Sequence, residues 1–133
     1  MKSTDELDLP EDCRYDQDHG WARHDGEKVR IGINDYAQDQ LGEIVYVELP
    51  HVGDTFEKGE EFATVESVKA VYDLIILIGG EVIAINTALE NSPQLMNKSP
   101  YHEGWMIDVK PSDPRELEGL MTKDSYVKML MEL

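Results

Sequence analysis

No apolar run in this chain of 133 residues exceeds five, and Gly, Pro and Asp recur between the runs. Segments that brief fall far short of a membrane span and match the length of a strand. Residues 29–33 (VRIGI) alternate apolar with polar or small side chains, and so do residues 45–49 (VYVEL). Residues 62–68 (FATVESV) read as a strand and 70–78 as a longer, largely buried one, with 82–85 and 105–110 (WMIDVK) completing the set. Trp105, opening the last of these, reads as a core residue. Short strands at this spacing predict a mainly β protein, a sandwich or small barrel. The length suits one domain, placed at residues 14–133. The acidic segment before it, residues 1–13, is expected to stay flexible until something packs it down.

Helices are expected only at the periphery. Asn34 can cap a helix over residues 35–41, stopped by Gly42. Ser92 before Pro93 gives a second short start. Asp113, Pro114 and Glu116 read as a capping box opening a C-terminal helix, broken near Gly119 before a last helix at about residues 124–130. Residues 41–47 (LGEIVYV) are echoed by 79–85 (GGEVIAI), which suggests two similar β-units folded against each other. Ordinary turn chemistry, a Gly-Glu pair before a strand, is the other reading.

Charge narrows the function. Twelve Lys+Arg against 28 Asp+Glu leave a formal net charge of −16, whereas nucleic acid and anionic membrane both select a basic footprint. Neither is expected as a partner; a basic patch on another protein is. A single cysteine, Cys13, excludes an internal disulfide and a Cys-pair zinc site and suits a reducing compartment. The start lacks a secretory signal, so a cytoplasmic setting is expected. The four histidines have no paired spacing, so no metal site is expected, and no phosphate loop or nucleophile motif is present. The chain reads as a non-catalytic protein.

What stands out is Lys69, between the two most apolar strand segments, where the chain must reverse for them to pair. An exposed turn lysine is the plain reading. Against it, the tip 66–70 (ESVKA) contains no Gly, Asn or Pro, so turn chemistry did not choose its residues. The stretch 65–70 (VESVKA) resembles the modification motif of lipoyl carrier proteins, the glycine cleavage system H protein family in particular. The resemblance continues through His19 and Trp21, then Ile31-Gly32-Ile33, Ala37-Gln38 and Leu41-Gly42, then Val47-Glu48-Leu49-Pro50 and Val52-Gly53. It resumes with Gly80-Glu81-Val82, Asn86, Leu89, Ser92-Pro93, Asn97, Ser99-Pro100-Tyr101 and Gly104-Trp105-Met106-Ile107.

That resemblance implies a lipoyl-domain barrel-sandwich hybrid with short flanking helices and a C-terminal helix. It implies lipoate in amide linkage on Lys69, put there by a lipoate ligase or lipoyl transferase that recognises Glu66 and Gly80. The arm would shuttle an aminomethyl group between glycine decarboxylase and aminomethyltransferase and be reoxidised by dihydrolipoyl dehydrogenase. Asp73 and His19 would line the cleft that receives it.

The chain departs from the family pattern twice. Gly20 stands where the family has glutamate between the His and Trp, removing a carboxylate that could pair with the amine. Residues 75–78 (IILI) replace a Tyr-Ser-Pro-Val stretch, giving either a docking surface beside the arm or a repacked buried strand. H-like lipoate-binding proteins also serve sulfur oxidation through a heterodisulfide-reductase-like complex, a role in which Cys13 could take part. That carrier role, and an unmodified acidic β interaction module, stand beside glycine cleavage at this level.

Overall fold

The computed structural model describes residues 2–132. Among the described residues nine strands form two antiparallel sheets. Six of them, β1 (Arg14–Tyr15), β2 (Gly20–Asp25), β3 (Lys28–Ile33), β5 (Thr55–Phe56), β8 (Gly80–Ile85) and β9 (Ile107–Pro111), make a sheet in the order β1-β2-β3-β9-β8-β5. The other three, β4 (Ile44–Glu48), β6 (Glu61–Ser67) and β7 (Val71–Ile75), make a sheet in the order β4-β6-β7. Ile31, Ile33, Ile44, Val47, Val65, Val82 and Val109 from both sheets meet in one buried core. Among the described residues no helix is long and apolar enough to cross a membrane.

Helix α1 (Asp35–Leu41) forms as its ends predict. The Asn34 side chain accepts from Ala37 N–H at 2.9 Å, and Gly42, at φ 78°, closes the helix by donating to the Gln38 carbonyl. Two single-turn helices, α2 (Ala88–Asn91) and α3 (Leu95–Lys98), separate β8 from β9; only the second was expected, from Pro93. At the C-terminus α4 (Arg115–Glu118) stops at Gly119 and α5 (Lys123–Met131) follows. The N-cap of α4 is Pro114, with no side-chain cap; Asp113, one residue earlier, accepts from Arg115 N–H at 3.0 Å. The Glu116 carboxylate, however, accepts from Gly79 N–H at 2.9 Å, so it ties α4 to the start of β8 instead of closing a capping box.

Three strand expectations change. The segment 70–78 is not one buried strand: β7 ends at Ile75, half-exposed, and Ile76, Leu77 and Ile78 leave the ladder to pack in the core. Three residues of the second departure, Ile76, Leu77 and Ile78, each at most 1% exposed, repack the core; the fourth, Ile75, is half-exposed and borders a surface cleft. Strand β9 begins at Ile107, and Trp105 before it is half-buried, its ring covered by the Arg30 guanidinium 4.0 Å from the centroid. The fully buried tryptophan is Trp21, on the unexpected hairpin β2–β3. The acidic N-terminal segment is packed against the body: Leu9 and Cys13 are buried in a second cluster with Tyr15, Trp21, Tyr101, Tyr126 and Leu130. Lys2 reaches the buried Asp35 carboxylate at 2.8 Å.

Strands β4 and β8, which carry the repeated sequence, lie in different sheets, and both break register at the equivalent step. The bulge falls between Ile44 and Tyr46 in one and between Val82 and Ala84 in the other. A shared irregularity at matching positions is what two related β-units would keep.

Candidate functional site

Lys69 sits in the middle of the three-residue tip, 68–70, joining β6 to β7. Ser67 N–H donates to the Ala70 carbonyl at 2.9 Å and closes the hairpin. Its hydroxyl oxygen accepts from Lys69 N–H at 3.1 Å and Ala70 N–H at 3.4 Å. The tip therefore has turn chemistry without Gly, Asn or Pro: a buried serine bonding the backbone ahead of it does their work. Val68 N–H donates to the Glu43 carbonyl at 3.0 Å, tying the tip to the loop after α1. That loop is fastened in turn by Asn97, which accepts from Ile44 N–H and donates to the Gly42 carbonyl at 2.8 Å.

The Lys69 side chain is exposed and lies over Gly42, where an added Cβ would come within 3.3 Å of Lys69 Cε. Its Nζ donates to the Gln40 carbonyl at 3.3 Å, at the C-terminal turn of α1. Gln40 also lines a cleft of about 220 Å³ between α1 and β7. The same cleft is walled by His19, Asp18 and Asp73, with Ile33, Leu41 and Leu74 supplying apolar surface. The structure thus brings His19 and Asp73, more than fifty residues apart in the chain, into one cleft, while Lys69 is linked to it through the Gln40 carbonyl and is not part of its lining. Asp18, which also lines the cleft, carries no sequence signal beyond its position next to His19.

His19 is held rigidly. It is the sole non-glycine residue at positive φ (66°) among the described residues, in a turn where Asp16 Oδ1 accepts from both Asp18 N–H and Gly20 N–H. Its Nδ1 lies 2.6 Å from the Tyr126 hydroxyl and its ring 4.4 Å, centroid to centroid, from Tyr36. Burial, opposed by the nearby Asp18 charge, pushes its pKa down and favours neutral imidazole. Gly20 explains itself sterically in part: a Cβ there would meet Leu77 Cδ2 at 3.3 Å, the leucine that comes with the other departure.

Glu66 and Gly80 are not neighbours of this cleft. Glu66 is exposed on β6, directly between Tyr46 and Val71 in the ladder. Gly80 is buried where β8 pairs with β9, and a Cβ would collide with the Lys110 carbonyl oxygen, so the position admits only glycine without backbone movement. Cys13 is 1% exposed and burial pushes its thiol up to about 12, which leaves it without thiolate for redox exchange.

A lysine displayed on a rigid hairpin, beside a small cleft of mixed character on a two-sheet body, defines a lipoyl-type carrier fold. The comparisons identify the family. The model of the glycine cleavage H-protein matches residues 13–133. A glycine cleavage system H protein of Anaeromyxobacter sp. (strain K) is 50% identical over 126 residues, 95% of this chain and 98% of the relative. That of Bacillus subtilis (strain 168) is 48% identical over 126 residues, covering 95% and 99%. The crystal structure of a glycine cleavage system H protein from Mycobacterium marinum superposes with a TM-score of 0.85 at 35% identity, over 92% of this chain and 99% of that one. The chain belongs to the glycine cleavage H-protein family.

Proposed function

We propose that Lys69 carries lipoate in amide linkage and that the chain serves glycine cleavage as its non-catalytic carrier. The observation that supports this best is the exposed Lys69 on its pinned hairpin, its Nζ bonded to the carbonyl of Gln40, a residue that also lines the cleft of His19 and Asp73. The residues suit the group: an exposed amine for acylation, and an apolar-walled cleft for a hydrocarbon arm. Lys69 would hold the group, and lipoate would supply a disulfide able to take up the one-carbon amine unit of glycine.

The protein's own residues position and shield. Ser67 and Glu43 hold the tip still; Ile33, Leu41 and Leu74 keep water from one wall of the cleft. Asp18 and Asp73 present negative charge that favours a protonated amine, and so supply what Gly20 does not. His19, kept toward neutrality, adds no competing positive charge. Glycine decarboxylase would load the arm, aminomethyltransferase unload it, and dihydrolipoyl dehydrogenase reoxidise it. Glu66 and Gly80 would serve recognition by the lipoate-attaching enzyme, Gly80 by fixing the strand and Glu66 by direct exposure. The relatives described above are named for glycine cleavage, which weighs for this pathway over sulfur transfer.

The test is intact mass. Wild type treated with lipoate and a lipoate ligase should gain one lipoyl group, and Lys69→Arg none. Incubation of the lipoylated protein with glycine and glycine decarboxylase should then add an aminomethyl group. A known H protein runs alongside. Lipoyl mass alone, with the control working, would move the protein to another carrier pathway; no lipoyl mass would leave an unmodified interaction module.

A further inference from the structure

We propose that the outer face of the β4-β6-β7 sheet beside Lys69 is the docking strip for the enzyme that acylates this lysine, a protein with an apolar centre and a basic rim at its contact surface. The inference rests on the lipoylation reading above and adds where that partner sits.

The strip is built by the β4 bulge. In a regular strand Val45 and Tyr46 would face opposite sides. The register shift between Ile44 and Tyr46 leaves both outward, 44% and 52% exposed, while Ile44 and Val47 stay buried. Tyr46 stands opposite Glu66, and Glu66 opposite Val71, in a single cross-strand row. Val71 is 61% exposed, and Val68 on the tip 63%. Tyr46 and Val71 therefore flank one carboxylate, with Val45 beside Tyr46 on β4 and Val68 next to Lys69 on the tip. Apolar groups gathered this closely on a surface mark a contact site more often than scattered ones do.

Charge selects the occupant. The next row is Glu48, Thr64 and Asp73, and Glu43 stands exposed on the other side, all on a chain of net charge −16. Anionic membranes and nucleic acids are repelled by that rim, whereas a protein with basic residues around an apolar centre matches it. The strip is continuous with the lysine tip, and any enzyme that acylates Nζ must bring its active site to that tip.

The experiment uses the unmodified full-length chain with lipoate, ATP and a lipoate ligase, following initial rates by intact mass against protein concentration. Tyr46→Ser and Val71→Ser, both exposed changes, should each lower kcat/KM at least tenfold, mainly through KM, with melting curves unchanged. Tyr46→Phe should restore the rate. Added NaCl should slow acylation of wild type. Val52→Ser, 60% exposed in the turn before β5, should acylate as wild type does. Acylation of Tyr46→Ser and Val71→Ser within twofold of wild type overturns the strip while lipoylation stands. So does normal acylation of these variants with loss only of loading by glycine decarboxylase, which would name a different occupant. A wild type that is never acylated removes the lipoylation reading and the strip with it.

Discussion

Two tryptophans in this chain exchange the roles their sequence context suggests. Trp105 opens an alternating apolar segment yet is only half-buried, held by stacking under Arg30. Trp21 sits among Ala, Arg and His yet is fully buried, its Nε1–H donating to the Pro100 carbonyl at 3.0 Å. Trp21→Ala should cost about 3 to 5 kcal/mol in urea denaturation, as expected for a large aromatic removed from a core. Trp105→Ala should cost less, since an exposed cation–π pair contributes about 0.5 to 1 kcal/mol beyond its partial burial. Equal losses would contradict the packing described. Lys69→Ala should stay within about 0.5 kcal/mol, because the side chain is exposed and its one hydrogen bond is to an exposed carbonyl.

At the scale of elements, α1 is a strut for the site: its C-terminal carbonyl receives Lys69 Nζ and its Ala37, Gln40 and Leu41 line the cleft. Asn34→Ala, which removes the cap, should lower stability by about 1 kcal/mol by thermal or urea unfolding. An unchanged midpoint would mean the cap contributes nothing. This helix was legible in sequence because both its stops are local, Asn34 at one end and Gly42 at the other. Lys69 was legible for a similar reason, as the break between two apolar strands. What was not legible is what depends on distant partners. Glu116 abandons its own helix for Gly79; 76–78 quit the strand because the core, not the ladder, takes them. The hairpin of β2 carries Arg23, His24 and Asp25, whose polarity hid a strand that is half edge, half core. The cleft itself joins residues 18–19, 33–41 and 72–75, a convergence that no local pattern encodes.

At the scale of the whole molecule, His19 links three parts of the chain: the Asp16 turn, α1 through Tyr36, and α5 through Tyr126. Because burial lowers its pKa, the folded state binds fewer protons than the unfolded one between the folded value and 6.5. The associated stability is complete above 6.5 and is lost as pH falls through the folded value. Melting temperature should therefore drop as pH is lowered from about 7.5 to about 5.5, the range in which an ordinary histidine titrates. His19→Asn, which tolerates the same backbone, should flatten that dependence. Identical slopes in the two proteins would assign the pH response to the carboxylates instead.

The hydrogen bonds that pin the Lys69 tip, from Ser67 and to Glu43, have a kinematic result. If Lys69 carries the proposed arm, its anchor is a fixed origin, and the far end sweeps only the volume within the arm's full reach of that point. Every enzyme that such an arm would serve has to bring its active site within that reach.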